Sequence, residues 1–265
     1  MKVNYHTHTK RCKHADGSEI EYIEAAIEAG FQELGFSDHS PWVYQSSYHP
    51  RMRMELNEFS DYIECITALE EEYKDKISIK LGLECEYFPK YMYWIKEILE
   101  QGILDYVIFG NHYHESDEYG EYFGECSTKK SLDLYYEDLC KGMDTGIFSY
   151  VCHPDLFMKN YLNFDKYCEE ISYKICRKAK EMDMILEYNL NGVELCEIFQ
   201  REAYPRKEFW EIASKVGCKV IIGIDAHKPS SIKDVAYYDQ AKEFLTSIGC
   251  QIVEKIPFYK DLKKK

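Results

Sequence analysis

The chain has 265 residues, 45% hydrophobic and 30% charged, which is ample for one sizeable core and close to the ~250 residues typical of an α/β barrel. A formal net charge of −14 argues against a surface that grips nucleic acid, since that would need a basic stripe; it is compatible with a small phosphorylated substrate drawn to bound cations. Eleven cysteines with no C-x-x-C spacing, no signal-peptide pattern after Met1, and no apolar run near the ~18 residues of a membrane span predict a reduced, cytoplasmic protein that does not enter a membrane.

The first strand, Lys2 to Tyr5, runs into His6-Thr7-His8-Thr9. Side chains at i and i+2 of a strand share a face, so both imidazoles can aim at one point just beyond its end. A loop holding Cys12 and His14 follows, with Cys12 a candidate for metal contact. Ser18 and Glu21 then form a capping box, Ile20, Ile23 and Ile27 give a helical stripe, and Gly30 stops it. The second strand, Phe31 to Ser37, leads into Asp38-His39, with Asp38 expected to orient its neighbours rather than to ligate. A polar loop over 40–53 carries His49, Arg51 and Arg53. After a helix with Leu56, Phe59, Ile63, Ile66 and Leu69 on one face, the third strand ends in Glu84-Cys85-Glu86. The fourth, from Asp105 to Phe109, ends in Gly110-Asn111-His112-Tyr113-His114; the spacing through the strand favours His112 over His114 as the functional histidine.

The fifth strand ends in His153-Pro154-Asp155, and the sixth is Met184 to Asn189, followed by an expected loop over 190–205. The seventh, Lys219 to Ile224, is a continuous apolar run suited to burial on both faces and ends in Asp225-Ala226-His227. A last helix precedes Gly249 and a short tail strand. Seven β-then-α units with no linker or composition shift imply one domain with a parallel sheet, closed as a barrel whose active site lies at the C-terminal ends of its strands.

Those ends carry His6, His8, His14, His39, Glu84, His112, His153, Asp225 and His227. So many titratable groups facing one space would repel or stay poorly satisfied unless cations organised them. Neutral imidazole with carboxylate is a ligand set for Zn²⁺, Mn²⁺ or Fe²⁺, and nine donors suit two or three metals better than one. Glu86 and Glu187, also near strand ends, read as structural hydrogen-bonding groups.

The series His6-Thr7-His8-Thr9, Ser37-Asp38-His39, Gly82-Leu83-Glu84, Gly110-Asn111-His112, His153-Pro154-Asp155 and Asp225-Ala226-His227 resembles the successive motifs of the polymerase and histidinol phosphatase (PHP) superfamily, above all its histidinol-phosphate phosphatases. The resemblance implies a distorted (β/α)₇ TIM-like barrel, in agreement with the seven units. It also implies one metal on His6, His8, Glu84 and Asp225, a second sharing Glu84 with His112 and His153, and a third on His14, His39 and His227. The implied chemistry is phosphomonoester hydrolysis by a metal-bridging hydroxide. Glu84 and Asp225 are then catalytic through the metals, and Asp155 is a candidate general acid beside a metal-bound water. Arg51, Lys159 and Arg201 are candidate phosphate contacts, each also readable as a solvated charge. The expected substrate is L-histidinol phosphate. Another small phosphate ester, a phosphodiester, and a non-catalytic metal-binding module are the rival readings, and the oligomeric state stays open.

Overall fold

At the first helix the expected reciprocal cap is present: the Ser18 hydroxyl accepts from the Glu21 amide, and the Glu21 carboxylate accepts from the Ser18 amide at 2.6 Å. A computed structural model describes residues 2–264. Its strands are β1 (Val3–Asn4), β2 (Glu33–Phe36), β3 (Ser78–Cys85), β4 (Tyr106–Phe109), β5 (Tyr150–Val151), β6 (Ile185–Asn189), β7 (Lys219–Gly223) and β8 (Gln251–Ile252). All pair parallel, in the order β1 to β8. The helices are α1 (Glu19–Glu28), α2 (Phe59–Tyr73), α3 (Met92–Glu100), α4 (Lys129–Asp144), α5 (Lys166–Glu181), α6 (Leu190–Phe199), α7 (Lys207–Val216), α8 (Pro229–Lys233), α9 (Ala236–Ser247) and α10 (Tyr259–Leu262). This is the expected distorted TIM-like barrel.

Closure differs at the two ends. At the C-terminal end of the strands, the chain beyond β1 pairs directly with the chain beyond β7: Thr7 bridges Ala226, the His8 amide donates to the Ala226 carbonyl at 3.0 Å, and the Ala226 amide to that of His6 at 3.1 Å. At the other end the tail strand β8 lies against β7 instead, with Val220 opposite Ile252. The barrel therefore closes with seven strands where the histidines gather, and an eighth is added only at the bottom.

Inside the barrel, Val3, Tyr5, Tyr106, Ile108, Tyr150, Ile185, Ile221 and Ile256 form a core of their own, separate from the larger one between sheet and helices. The α4 stripe of Leu132, Tyr135, Leu139 and Met143 shows how the outer core is built: spaced by three or four residues, all four are fully buried, and each such side chain contributes roughly 1.5–3 kcal/mol by burial.

The expected loop over 190–205 is corrected by α6. Asn189 caps it, its side-chain oxygen accepting from the Gly192 amide at 2.8 Å. Helix-poor Asn191 and Gly192 in its first turn, and Ile198 and Phe199 exposed at its end, deprive the segment of an amphipathic stripe.

The fully buried Tyr106 hydroxyl crosses the barrel to the carbonyls of Tyr5 (2.8 Å) and Phe36 (3.3 Å). Tyr106→Phe strands these acceptors and is expected to lower the unfolding free energy by about 1–3 kcal/mol in urea titration; unchanged stability would show that the bond across the barrel contributes nothing net.

Candidate metal centre

Each strand delivers its groups by a local device. Beyond β1, His6 and His8 fall on one side of the extended backbone and are fully buried. Beyond β5 and β7, His153 and Asp225 sit at positive φ (29° and 55°), a region non-glycine residues rarely occupy, so the chain turns sharply there to aim both side chains inward. Glu84 lies within β3, where β4 leaves room for it. A Cβ at Gly110 would overlap the Glu84 carboxylate and the His112 ring, and one at Gly223 would overlap the Glu187 carboxylate.

Glu84, 1% exposed, is the hub. Its Oε1 lies 3.0 Å from His153 Nε2 and 3.3 Å from His112 Nε2; its Oε2 lies 3.0 Å from His39 Nδ1, 3.4 Å from His6 Nε2 and 3.6 Å from His8 Nε2. Asp225 Oδ1 is 3.0 Å from His8 Nε2 and 3.4 Å from His6 Nε2. Donor atoms of His6, His8 and Asp225, of His6, Glu84 and His153, and of His14, His39 and His227 form groups mutually within 4.8 Å. All nine groups expected from the sequence are thus brought together.

Four of the rings are oriented from behind. His6 Nδ1 meets Glu187 Oε1 at 2.8 Å, His112 Nδ1 meets Glu86 Oε1 at 3.0 Å, His14 Nδ1 meets the Cys12 carbonyl at 2.7 Å, and His227 Nδ1 meets the Asp225 carbonyl at 3.0 Å. Glu187 also accepts from the His153 amide at 3.1 Å. Asp38 accepts from the Thr9 amide and hydroxyl and lies 3.5 Å from His8 Nδ1. These acceptors fix the ring faces and tautomers in the manner of supports behind metal ligands.

The donor set fits cations. Carbonyls only accept, so the Nδ1 atoms of His14 and His227 carry hydrogen, and the Nε2 atoms of the neutral rings are lone pairs. Those two Nε2 atoms face each other at 2.9 Å. Burial drives His39 and His227 down to about 3 and lowers His14 as well, so this trio is in the neutral, ligating form. Two facing lone pairs repel unless a cation lies between them. His6 Nε2, both nitrogens of His8 and His39 Nδ1 are likewise buried without a hydrogen-bond partner. On the carboxylate side, burial would raise Glu84, but His112, His6 and His39 hold it well below the usual carboxylate range. Burial similarly opposes the charged forms of His8 and His112, yet the carboxylates raise them to about 9 and about 10. Glu84 and Asp225 are thus buried carboxylates that demand positive partners, whether imidazolium or cation.

Above it opens a cavity of about 280 Å³ walled by Met52, Tyr122, Leu156, Lys159, Asn191, Leu195 and Tyr204. Lys159 Nζ donates to the Tyr122 hydroxyl at 3.1 Å. The other expected substrate residues lie elsewhere: Arg51 is exposed and its neighbour Met52 lines the cavity instead, while Arg201 stacks over Phe199 beside a smaller adjoining pocket. Asp155 does not line the cavity either. It is fully buried, its Oδ2 accepts from the Arg206 amide at 2.7 Å, and burial pushes its carboxyl up to about 7. Its position joins the loop after β5 to the start of α7. His114 pairs with Asp138 at 2.5 Å and His49 is exposed beside Glu55, so both stay outside the centre. Cys12 is fully buried, with its sulfur among the atoms grouped with His8 and His227. Sequence reasoning misses Asn191, whose Nδ2 donates to Asp225 Oδ2 at 3.1 Å, and the wall residues Met52, Tyr122 and Tyr204. Asn191 follows directly from the missed helix; the walls carry no periodic signal.

The PHP domain family model matches residues 4–191. The chain is 29% identical over 244 residues to a probable histidinol-phosphatase from Deinococcus radiodurans, covering 90% of each chain. It is 24% identical over 286 residues to a probable histidinol-phosphatase from Schizosaccharomyces pombe, covering 97% of this chain and 91% of the relative. Among solved structures, histidinol phosphate phosphatase from Lactococcus lactis subsp. lactis, complexed with zinc, L-histidinol and phosphate, superposes with a TM-score of 0.72 at 21% identity over 96% of this chain and 98% of that one, a likeness of fold.

Glu84→Gln removes the charge shared by five imidazoles while keeping the shape. After loading with Zn²⁺ and dialysis, the variant is expected to retain at least about one equivalent less metal than the parent by elemental analysis, with far-UV circular dichroism unchanged. Chelated parent protein should gain about 2.7 kcal/mol of stability at a hundredfold excess of Zn²⁺ over its dissociation constant. A melting midpoint indifferent to Zn²⁺ and Mn²⁺ would remove cations from this centre.

Proposed function

The chain belongs to the PHP domain family, and from that premise we propose that it is a metal-dependent phosphomonoesterase hydrolysing L-histidinol phosphate to L-histidinol and phosphate in histidine biosynthesis. The observation that carries the reading is the buried Glu84 hub, with five imidazoles on its two oxygens, at the floor of a cavity that also presents a lysine. The activity for which the relatives are named supports the choice of ester.

In this reading His6, His8, Glu84 and Asp225 hold one divalent ion, Glu84, His112 and His153 a second, and His14, His39 and His227 a third, with Zn²⁺, Mn²⁺ and Fe²⁺ all suited to such donors. Bound there, the ions supply Lewis acidity toward the phosphoryl oxygens and make water ionisable near neutral pH. The chain supplies the rest. Glu187, Glu86 and Asp38 keep the ring nitrogens aimed inward. Lys159, held by Tyr122, offers a point charge to a phosphate oxygen. Leu156, Leu195, Met52 and Tyr204 keep the leaving-group side of the cavity apolar and aromatic, suited to an imidazole ring and to excluding bulk water. Asn191 restrains Asp225 through its second oxygen.

The proposed domain is the whole chain, 1–265. The family model ends at residue 191, yet Asp225, His227 and the closing strand β7 lie beyond it. A net charge of −14 supports a small phosphorylated substrate rather than nucleic acid.

Phosphate release by metal-loaded protein tests the proposal. L-histidinol phosphate is expected to exceed a panel of other small phosphomonoesters by ~10²-fold or more in kcat/KM, worth ~2.7 kcal/mol of differential transition-state binding. Slow, indiscriminate turnover would keep a metallophosphatase and discard this substrate. Among the cationic candidates, Lys159→Met should cost roughly 10–100-fold in kcat/KM, and Arg51→Met and Arg201→Met about twofold or less. The reverse ranking would move the phosphate contact out to the rim.

A further inference from the structure

A buried guanidinium behind the centre has no part in the chemistry above. Arg53 is fully buried. Its Nη2 donates to Glu86 Oε1 at 2.8 Å and its Nη1 to Glu86 Oε2 at 3.0 Å, a planar fork matched to the carboxylate. Nη1 also donates to the Ser40 carbonyl at 3.0 Å, and Nε donates to Asp117 Oδ2 at 2.8 Å. Glu86 is shared: besides Arg53 it accepts from Trp42 Nε1 at 3.0 Å, and its Oε1 meets His112 Nδ1 at 3.0 Å. Asp117 is shared as well, its Oδ1 accepting from the Tyr44 hydroxyl at 2.5 Å and its carbonyl from the Tyr48 hydroxyl at 3.2 Å.

We propose that Arg53 is a positioning residue with two arms, one acting through Glu86 on the His112 ring and the other, through Asp117, fixing the loops over 41–53 and 113–122 that wall the cavity. The first arm rests on the reading of His112 as a metal ligand. A buried arginine between two carboxylates is costly to desolvate, and an apolar core could fill the same volume at less expense. What the fork adds is a defined orientation for Glu86. Held by it, that carboxylate is aimed as the acceptor for His112 Nδ1, which leaves His112 Nε2 directed at Glu84. The second arm joins the segments that present Met52 and Tyr122 to the cavity, and the Tyr113 hydroxyl against Met52 Sδ at 3.3 Å closes the same seam.

The two arms separate in experiment. Full-length Arg53→Met, Arg53→Lys and Asp117→Asn proteins are titrated with Zn²⁺ against a competing chelator, and steady-state kinetics are run on Zn²⁺-loaded protein with L-histidinol phosphate. Arg53→Met should weaken one class of Zn²⁺ site by about 10–100-fold. Arg53→Lys, which keeps the charge but loses the fork, should fall between it and the parent. Asp117→Asn should bind Zn²⁺ within about twofold of the parent while raising KM by about tenfold at nearly constant kcat. An Arg53→Met protein that is less stable yet binds Zn²⁺ with parental stoichiometry and affinity would reduce Arg53 to structural glue and overturn the first arm. If Arg53→Met does not fold, parental Zn²⁺ affinity in Arg53→Lys overturns it equally. An unchanged KM in Asp117→Asn overturns the second arm. The Zn²⁺ titrations involve no turnover, so a wrong substrate would leave them intact and show instead as absent hydrolysis by the parent.

Discussion

A carboxylate withdrawn from water and met by five imidazoles sets the terms for the rest of this molecule. Burying Glu84 as an anion costs several kcal/mol unless positive partners surround it. The fold supplies them from every direction: His6 and His8 from beyond β1, His39 from beyond β2, His112 and His153 from beyond β4 and β5. Those rings have needs of their own, and Glu187, Glu86 and Asp38 meet those of His6, His112 and His8 from behind. The result is an alternation of charge, anion within imidazole within anion, that neutral side chains could not maintain. An inward-facing surplus of lone pairs is its natural consequence, and cations are its natural complement.

Barrel closure is what lets that alternation form. If β8 continued to the top of the barrel it would stand between β1 and β7, and His6 and His8 would be one strand further from Asp225 and His227. Instead the Thr7–Ala226 bridge brings the first and seventh units edge to edge where the histidines and carboxylates gather, and the tail strand lies at the bottom, beside the Tyr106 core. The distortion of the barrel and the density of donors at one end are thus the same fact. The positive φ values at His153 and Asp225 belong with it: backbone strain is tolerated where the neighbouring structure, here Glu187 on the His153 amide and Asn189 and Asn191 on the Asp225 carboxylate, over-determines the position.

Much of this was legible in the residues. Strand periodicity located the ends of the units, the i, i+2 rule placed His6 and His8 on one face, and strand spacing chose His112 over His114. All three depend only on local backbone geometry, which the chain carries with it. What escaped was decided by packing across the barrel. Asp155 stands two residues after His153 and reads as a catalytic acid, yet it turns away from the centre to the Arg206 amide. Arg51 and Met52 are neighbours with opposite fates, Met52 lining the cavity and Arg51 exposed, beside the Arg53 that pairs with Glu86 and Asp117. The helix over 190–199 has an asparagine and a glycine where a helix pattern would place good formers, so its one clear signal was the Asn189 cap.

The distribution of supports also bears on how such a centre would treat different ions. Every ring that has an anchored Nδ1 is held by protein, so the inward geometry is set by the barrel before any ion arrives. A preformed site of imidazole and carboxylate donors does not discriminate strongly among first-row divalent ions by softness. Its affinities follow the general order of those ions, and occupancy follows their supply. The two regions differ, however. Around Glu84 and Asp225 imidazole is mixed with carboxylate, and His8 and His112 are raised to about 9 and about 10; His14 and His227 present neutral imidazole at the solvent edge, with His39 between the two, 3.0 Å from Glu84. An ion leaving the first region would strand buried anionic charge, while one leaving the second would free neutral rings that water can reach. The carboxylate-rich region is thus the one whose charge is tied to the stability of the barrel, and the facing rings of His14 and His227 lie at the solvent edge.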